Sequence, residues 1–306
     1  MKLLITGSSG LIGSTLISRH SARDDEIIRL VRSPGRLPKG AALWDPEAGT
    51  IDSSAIDGVE AVVHLAGESV AGGRWTPERK ARIRNSRVKG TSLLCETLAK
   101  LETRPRVLVA ASANGYYGDR GDEILTEDSP CGAGFLAGLC KEWEAATQSA
   151  ESAGIRVVNL RIGVVLSQHG GALRKMLTPF KMGAGGKVGS GSQYMSWIEL
   201  TDLVDIIDFA IEQESMAGPV NAVSPNPVTN AEFTKALGRV IGRPTLFAMP
   251  AFAARLAFGE MADALLMASL RVHPKNLLDL GYSFKHPELE SALRYLLGSG
   301  GSVTHH

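Results

Sequence analysis

Seven residues near the start of the chain, Gly7-Ser8-Ser9-Gly10-Leu11-Ile12-Gly13, are spaced to hold a phosphate. The glycines recur every third residue, directly after the apolar run Lys2–Thr6, and the loop opens an amphipathic helical pattern. Glycine lets the backbone turn tightly and approach a ligand, while the first turn of a helix offers unpaired N–H groups to an anion. In that setting the spacing predicts the pyrophosphate cradle of a dinucleotide; without the strand and helix it would be a weak signal. A second apolar run, Glu26–Val31, ends in Arg32-Ser33, with Arg36 just beyond. A site for NAD would place a carboxylate there for the ribose 2′-hydroxyl, whereas a guanidinium grips a 2′-phosphate. Asp24 and Asp25 stand before the run and Glu26 opens it, at the wrong end of a strand. NADP(H) is the expected cofactor, with Arg32 reading its phosphate; a solvated loop arginine is the alternative.

These residues need a parallel sheet to place them, and the chain has its signature. Short apolar runs at Lys2–Thr6, Glu26–Val31, Glu60–Leu65, Arg106–Ala111 and Ile155–Leu166 alternate with helical patterns. One helix is expected to start at Thr76-Pro77-Glu78, a cap residue followed by proline, and to run towards Lys100. Another is expected over Phe135–Ser152. Beyond about residue 222 the texture changes: Ser224-Pro225-Asn226-Pro227 is turn-like, and Thr229 with Glu232 forms a capping box before near-continuous helical pattern. The expected fold is α/β, a doubly wound Rossmann sheet over 1–222, with a smaller, mainly helical C-terminal domain over 223–298. Residues 168–200, with the glycine-rich Gly183–Ser192, are expected to contribute to the cleft between the two. Residues 299–306 are read as a flexible tail, and its two histidines not as a metal site.

The formal net charge of +1 and 44% hydrophobic residues suit a packed globular chain and give no field that would draw nucleic acid or a membrane surface. Cys95, Cys131 and Cys140 form no CxxC pair, which fits reduced thiols in the cytoplasm. No apolar run approaches the ~20 residues that span a bilayer. The expected partner is a small-molecule substrate, and the sequence leaves the oligomeric state open.

Beyond residue 60 the motifs grow more specific: His64-Leu65-Ala66-Gly67-Glu68, Arg74-Trp75-Thr76, Ser86-Arg87, Ser112-Ala113-Asn114-Gly115-Tyr116-Tyr117-Gly118 and Leu160–Leu166. Gly189–Gln193, Ser196-Trp197-Ile198 and the stretch from Asn221 to Phe233 continue them. Together they resemble an atypical branch of the short-chain dehydrogenase/reductases, the sugar-nucleotide-epimerase-like family, some members of which carry the label cell-division inhibitor. The resemblance implies an extended Rossmann domain with NADP(H) in its cleft. It implies that Leu65-Ala66-Gly67 backs the adenine and ribose side; Glu68 follows among the cofactor-cleft residues, as an alternative acid or else a helix cap. Arg87 stands where many relatives carry asparagine near the cofactor, and Arg82 lies on nearly the same helix face. Val165 is implied near the nicotinamide end. For Arg82 and Arg87 a solvated helix cation is the plain alternative, and for Val165 a buried strand end.

The same resemblance breaks at proton transfer. The usual machinery is a serine with a Tyr-x-x-x-Lys pair, in which the phenol moves the proton and lysine lowers its pKa. Four residues after the five tyrosines stand Arg120, Gly121, Ile198, His286 and Ser299. Alignment on Glu144 places Leu136 and Cys140 where tyrosine and lysine belong, and Ala113 at the serine. Ser112, Tyr116 and Lys141 are the nearest candidate catalytic substitutes. The expected function is an NADP(H)-binding oxidoreductase or epimerase-like protein acting on a small substrate, free or nucleotide-linked. The rival reading is a non-catalytic NADP(H) sensor.

Overall fold

The computed structural model describes residues 1–32 and 40–298; Arg36 and the tail at 299–306 lie outside the described residues. β1 (Lys2–Thr6) enters α1 (Leu11–Ser21) through the glycine loop, and β2 (Glu26–Val31), β3 (Ala41–Asp45), β4 (Thr50–Ile51) and β5 (Ala61–His64) follow. Next come α2 (Pro77–Lys100), β6 (Val107–Ala113), α3 (Phe135–Ala145), β7 (Arg156–Ile162), α4 (Gly171–Lys181), α5 (Leu200–Glu212) and β8 (Gly218–Ala222). Among the described residues these strands make an eight-stranded sheet in the order β8-β7-β6-β5-β1-β2-β3-β4. All pairings are parallel except that of β3 with β4. The expected Rossmann architecture is therefore present.

Its strands are apolar because helices cover both faces. Leu3 and Ile5 point to one side and pack with Val63 and Val109 under Leu16 of α1 and Leu203 of α5. Leu4 points to the other and packs with Val62 and Leu108 under Leu94 and Leu98 of α2. Each fully buried aliphatic side chain contributes roughly 1.5–3 kcal/mol relative to exposure. Thr76 caps α2 by accepting the Arg79 N–H at 3.2 Å, with Pro77 in the first helical position.

Two expected elements divide. The run 155–166 bends at Gly163, where a Cβ would lie 2.7 Å from the Ser196 carbonyl oxygen and 2.8 Å from Val223. There the chain leaves β8 and pairs Val164–Leu166 with Trp197–Glu199. The helix over 135–152 breaks into α3 and Gln148–Ser152. Past β8, Thr229 and Glu232 close the capping box that opens α6 (Asn230–Ile241). With α7 (Ala251–Phe258) and α8 (Leu289–Leu297) it builds a mainly helical layer. Phe233, Leu237, Leu289 and Leu293 of this layer share one apolar cluster with Leu173, Leu177 and Trp197.

At the amino end of the sheet, His20 is inaccessible and lies between two carboxylates: Nδ1 is 2.6 Å from Asp25 and Nε2 is 2.9 Å from Asp208. Burial opposes its charge, but the hydrogen bonds to Asp208 and Asp25 outweigh it and raise the pKa above the ordinary histidine value. A raised folded-state pKa gives stability that is fully present below the unfolded value of about 6.5 and is lost as pH rises through the folded one. The unfolding temperature should therefore fall from pH 6 upward, with a slope in stability of at most about 1.4 kcal/mol per pH unit from this group. His20→Asn should flatten that slope; an unchanged profile in the variant would refute the assignment.

Candidate functional site

Consecutive strands lead from β1 to one side of the sheet and resume on the other at β5. Open α/β sheets bind ligands outside the carboxyl ends of the strands at such a switch point. Here it holds the glycine loop. Gly7 has φ +67°, and a Cβ on it would meet the Leu65 carbonyl group and the Ala66 nitrogen at 2.8–3.0 Å. A Cβ on Gly13 would stand 2.4 Å from the Gly7 oxygen. The Gly10 N–H donates to Gly7 O at 3.0 Å, which closes the turn. Gly10 caps α1 with no side-chain hydrogen bond, and the first turn holds no acidic residue. Thus Gly7, Ser8, Ser9, Gly10, Leu11, Ile12 and Gly13 do form a strand-to-helix turn against the end of β5. Leu11 also approaches the segment after Val165: Cβ atoms built on Gly170 and Gly171 would lie 3.4 and 3.6 Å from it, the latter also 3.4 Å from Val165 O.

A buried polar chain fixes the ends of β1 and β5. Thr6 Oγ1 accepts the Leu65 and Ala66 N–H groups, both at 3.1 Å, and lies 2.7 Å from His64 Nδ1. A hydroxyl has one proton and two acceptor sites, so that proton goes to Nδ1 and the imidazole carries its own on Nε2. Nε2 donates to Thr91 Oγ1 at 2.9 Å, which also accepts Trp143 Nε1–H at 3.0 Å. Complete burial lowers the His64 pKa to about 4, so the ring is neutral. Spacing gave no sign of this set, because its members come from β1, β5, α2 and α3.

Arg32 is exposed at the end of β2. Arg87 of α2 is half-buried; its Nη1 donates to Glu68 O at 2.9 Å and Ile83 O at 3.2 Å, and its guanidinium stacks 4.9 Å from the Trp143 ring. Burial pushes its pKa below the usual arginine value. A Cβ on Gly67 would come within 3.1 Å of Arg87 Cζ, so the glycine leaves the guanidinium room. The Glu68 carboxylate turns towards Arg82 at 3.5 Å and Arg79 at 3.8 Å. Leu65, Ala66, Gly67, Glu68, Arg82 and Arg87 thus gather at the end of β5.

The proton-transfer candidates separate. Ser112 Oγ donates to Glu144 at 2.7 Å, and both Glu144 oxygens bind Arg161 at 2.9 Å. Arg161 Nη1 donates to Tyr117 OH at 3.0 Å, and that hydroxyl donates to Asn221 at 2.7 Å. Burial pushes the Tyr117 phenol up to about 12. Tyr116 lies beside this network with Arg161 3.5 Å from its ring centre, and its hydroxyl has no hydrogen-bond partner among the described residues. Lys141 is exposed on α3. Cys140 is buried, and burial pushes its thiol up to about 12. Gln193 and Trp197 serve packing: Gln193 donates to Val188 O and Leu266 O, and Trp197 is inaccessible. Among the described residues there is no metal-binding group of His, Cys, Asp and Glu, and no helix long and apolar enough to cross a membrane.

Comparison with known proteins places this geometry in a family. Residues 3–222 match the NAD dependent epimerase/dehydratase family, and residues 249–296 match a domain of unknown function, DUF1731. An epimerase family protein of Mycobacterium bovis is 45% identical over 293 residues, covering 95% of this chain and 96% of that one. The crystal structure of the human epimerase family protein SDR39U1 with NADPH superposes with a TM-score of 0.87 at 33% identity, covering 97% and 99% of the two chains. A nucleoside-diphosphate sugar epimerase from Corynebacterium glutamicum gives 0.81 at 39% identity, covering 97% of this chain but 58% of that one. The glycine turn at the switch point and the matches along nearly its full length show that the chain belongs to the NAD dependent epimerase/dehydratase family, in its atypical short-chain dehydrogenase/reductase branch.

Proposed function

We propose that the chain is an NADP(H)-binding oxidoreductase or epimerase-like protein that acts on a small substrate with an atypical proton donor. The observation that carries this reading is the Gly7–Gly13 turn closed against Leu65 and Ala66, a space that any side chain on Gly7 would fill. The N–H groups opening α1 would hold the pyrophosphate, and Arg32 the 2′-phosphate. Leu65, Ala66 and Gly67 would back the cofactor, with Glu68, Arg82, Arg87 and Val165 beside it. The NADPH in the human relative's structure supports the choice of phosphorylated cofactor. When bound, the nicotinamide supplies or takes a hydride.

On the substrate side, Tyr116 is the favoured proton carrier of the three candidates. The Ser112 hydroxyl is committed to Glu144, and Lys141 faces solvent. Loss of NADPH absorbance on adding a panel of carbonyl and nucleotide-sugar compounds tests the reading. Turnover that drops at least a hundredfold in Tyr116→Phe is the expected result, from the 10²–10⁴-fold worth of general acid–base help. A second reading, the non-catalytic sensor, is favoured by one observation: Leu136 and Cys140 fill the tyrosine and lysine positions, and Cys140 is a buried, neutral thiol. NADPH binding without oxidation by any compound would select it.

A further inference from the structure

We propose that Arg87 sets the redox balance of the bound nicotinamide, so that the protein holds the reduced cofactor more tightly than the oxidised one. The inference rests on the reading that a nicotinamide dinucleotide occupies the switch-point crevice.

The Arg87 guanidinium is fixed from two sides, by the Glu68 and Ile83 carbonyls on Nη1 and by the Trp143 ring. Among the described residues it has no ion-pair partner, and its Nε and Nη2 have no acceptor, yet neither is sealed from solvent. The nearby carboxylates are engaged elsewhere. Glu68 turns to Arg82 and Arg79, and Glu144 is bound through both oxygens to Arg161. Arg79, Arg82 and Arg87 against Glu68, with Glu78 acting on Arg82 from the first turn of α2, leave this corner positive.

The corner lies between the carboxyl ends of β5, through Glu68, and β6, through α3 and its Ser112–Glu144 bond. In a doubly wound sheet this side of the switch point serves the second mononucleotide, the nicotinamide half. Both redox forms carry the same phosphates and differ by one positive charge on the ring. A fixed, half-desolvated cation therefore disfavours the oxidised form. At a separation of ~10 Å and an effective dielectric constant of ~20, the repulsion corresponds to about a tenfold change in affinity.

Calorimetric titration of NADPH and NADP⁺ against the wild type, Arg87→Gln, Arg87→Lys and Glu68→Gln tests this, with thermal unfolding as the control for folding. The NADP⁺-to-NADPH ratio of dissociation constants should fall about tenfold in Arg87→Gln and stay near the wild-type value in Arg87→Lys. It should rise about threefold in Glu68→Gln, which removes the carboxylate facing Arg82 and Arg79 from a partly exposed position and so gives a test even where Arg87→Gln unfolds. Equal loosening of both cofactors in Arg87→Gln would assign the arginine to a phosphate or to structure and overturn the inference. An unchanged ratio in Glu68→Gln would overturn it as well. A wild type that binds both cofactors while these ratios fail leaves the cofactor reading standing; a wild type that binds neither ends both.

Discussion

Glu144→Ala should destabilise the fold by about 3–5 kcal/mol, the cost of leaving a buried partner charge uncompensated. The Arg161 side chain is only 4% exposed, and Nε and Nη2 each lie 2.9 Å from a Glu144 oxygen. Removing the carboxylate strands that guanidinium with the Tyr117 hydroxyl and a 3.5 Å contact to the Glu127 carbonyl. Ser112 loses its acceptor at the same stroke. Arginine cannot relieve the strain by giving up its proton. Glu144→Gln keeps the volume and one acceptor, so it should cost less. Glu144→Ala combined with Arg161→Met should recover part of the loss, because no lone charge remains. Urea unfolding of the two single variants and the double one gives the coupling energy directly. A loss below about 1 kcal/mol for Glu144→Ala would show that water reaches the pair.

Arg32→Asp should reverse the cofactor preference. A charge-assisted hydrogen bond contributes roughly 1.5–3 kcal/mol, which is about a tenfold to hundredfold preference for NADPH over NADH. Arg32 is exposed at the end of β2, the strand beside β1, so no internal partner competes for its guanidinium among the described residues. Aspartate does more than remove the contact: it repels the 2′-phosphate and offers an acceptor to the ribose hydroxyls. NADPH binding should weaken by at least the full preference, while NADH binding stays similar or tightens. Arg36 could share the phosphate, so Arg32→Ala alone would leave part of the preference. Titration of both cofactors against wild type and variant decides it, and equal wild-type affinities would end the assignment to NADP(H).

Local signals carried much of this structure. β1 and β2 have the bounds that their apolar runs predict, and the Thr76 cap and the Thr229–Glu232 box open α2 and α6 where expected. β3 and β8 were illegible for opposite reasons. Ala41–Asp45 alternates in burial, but apolar Leu43 stands on its exposed side, so the sequence shows no alternation. Gly218-Pro219 opens β8 with residues that strands usually exclude, and its edge position tolerates them. At the site, the glycine turn announced itself because one short segment contains it. The Arg161–Glu144 pair did not, since the fold alone brings Arg161 of β7 to Glu144 of α3 and to Ser112 at the end of β6. Thr6, His64, Thr91 and Trp143 are likewise ordinary core residues until the sheet assembles them.

The two inaccessible histidines divide the protein's response to acid between opposite ends of the sheet. His20, at the amino end, gains charge readily and joins α1 to α5 more firmly as protons become abundant. His64, at the carboxyl end, stays neutral until the pH falls to about 4, and its fixed tautomer keeps Thr6, Leu65 and Ala66 in place. The crevice frame is thus deaf to the pH changes that the far end hears. Between pH 5 and 8, His64 therefore adds no change of charge to the crevice, and its frame behaves as a ruler of constant length.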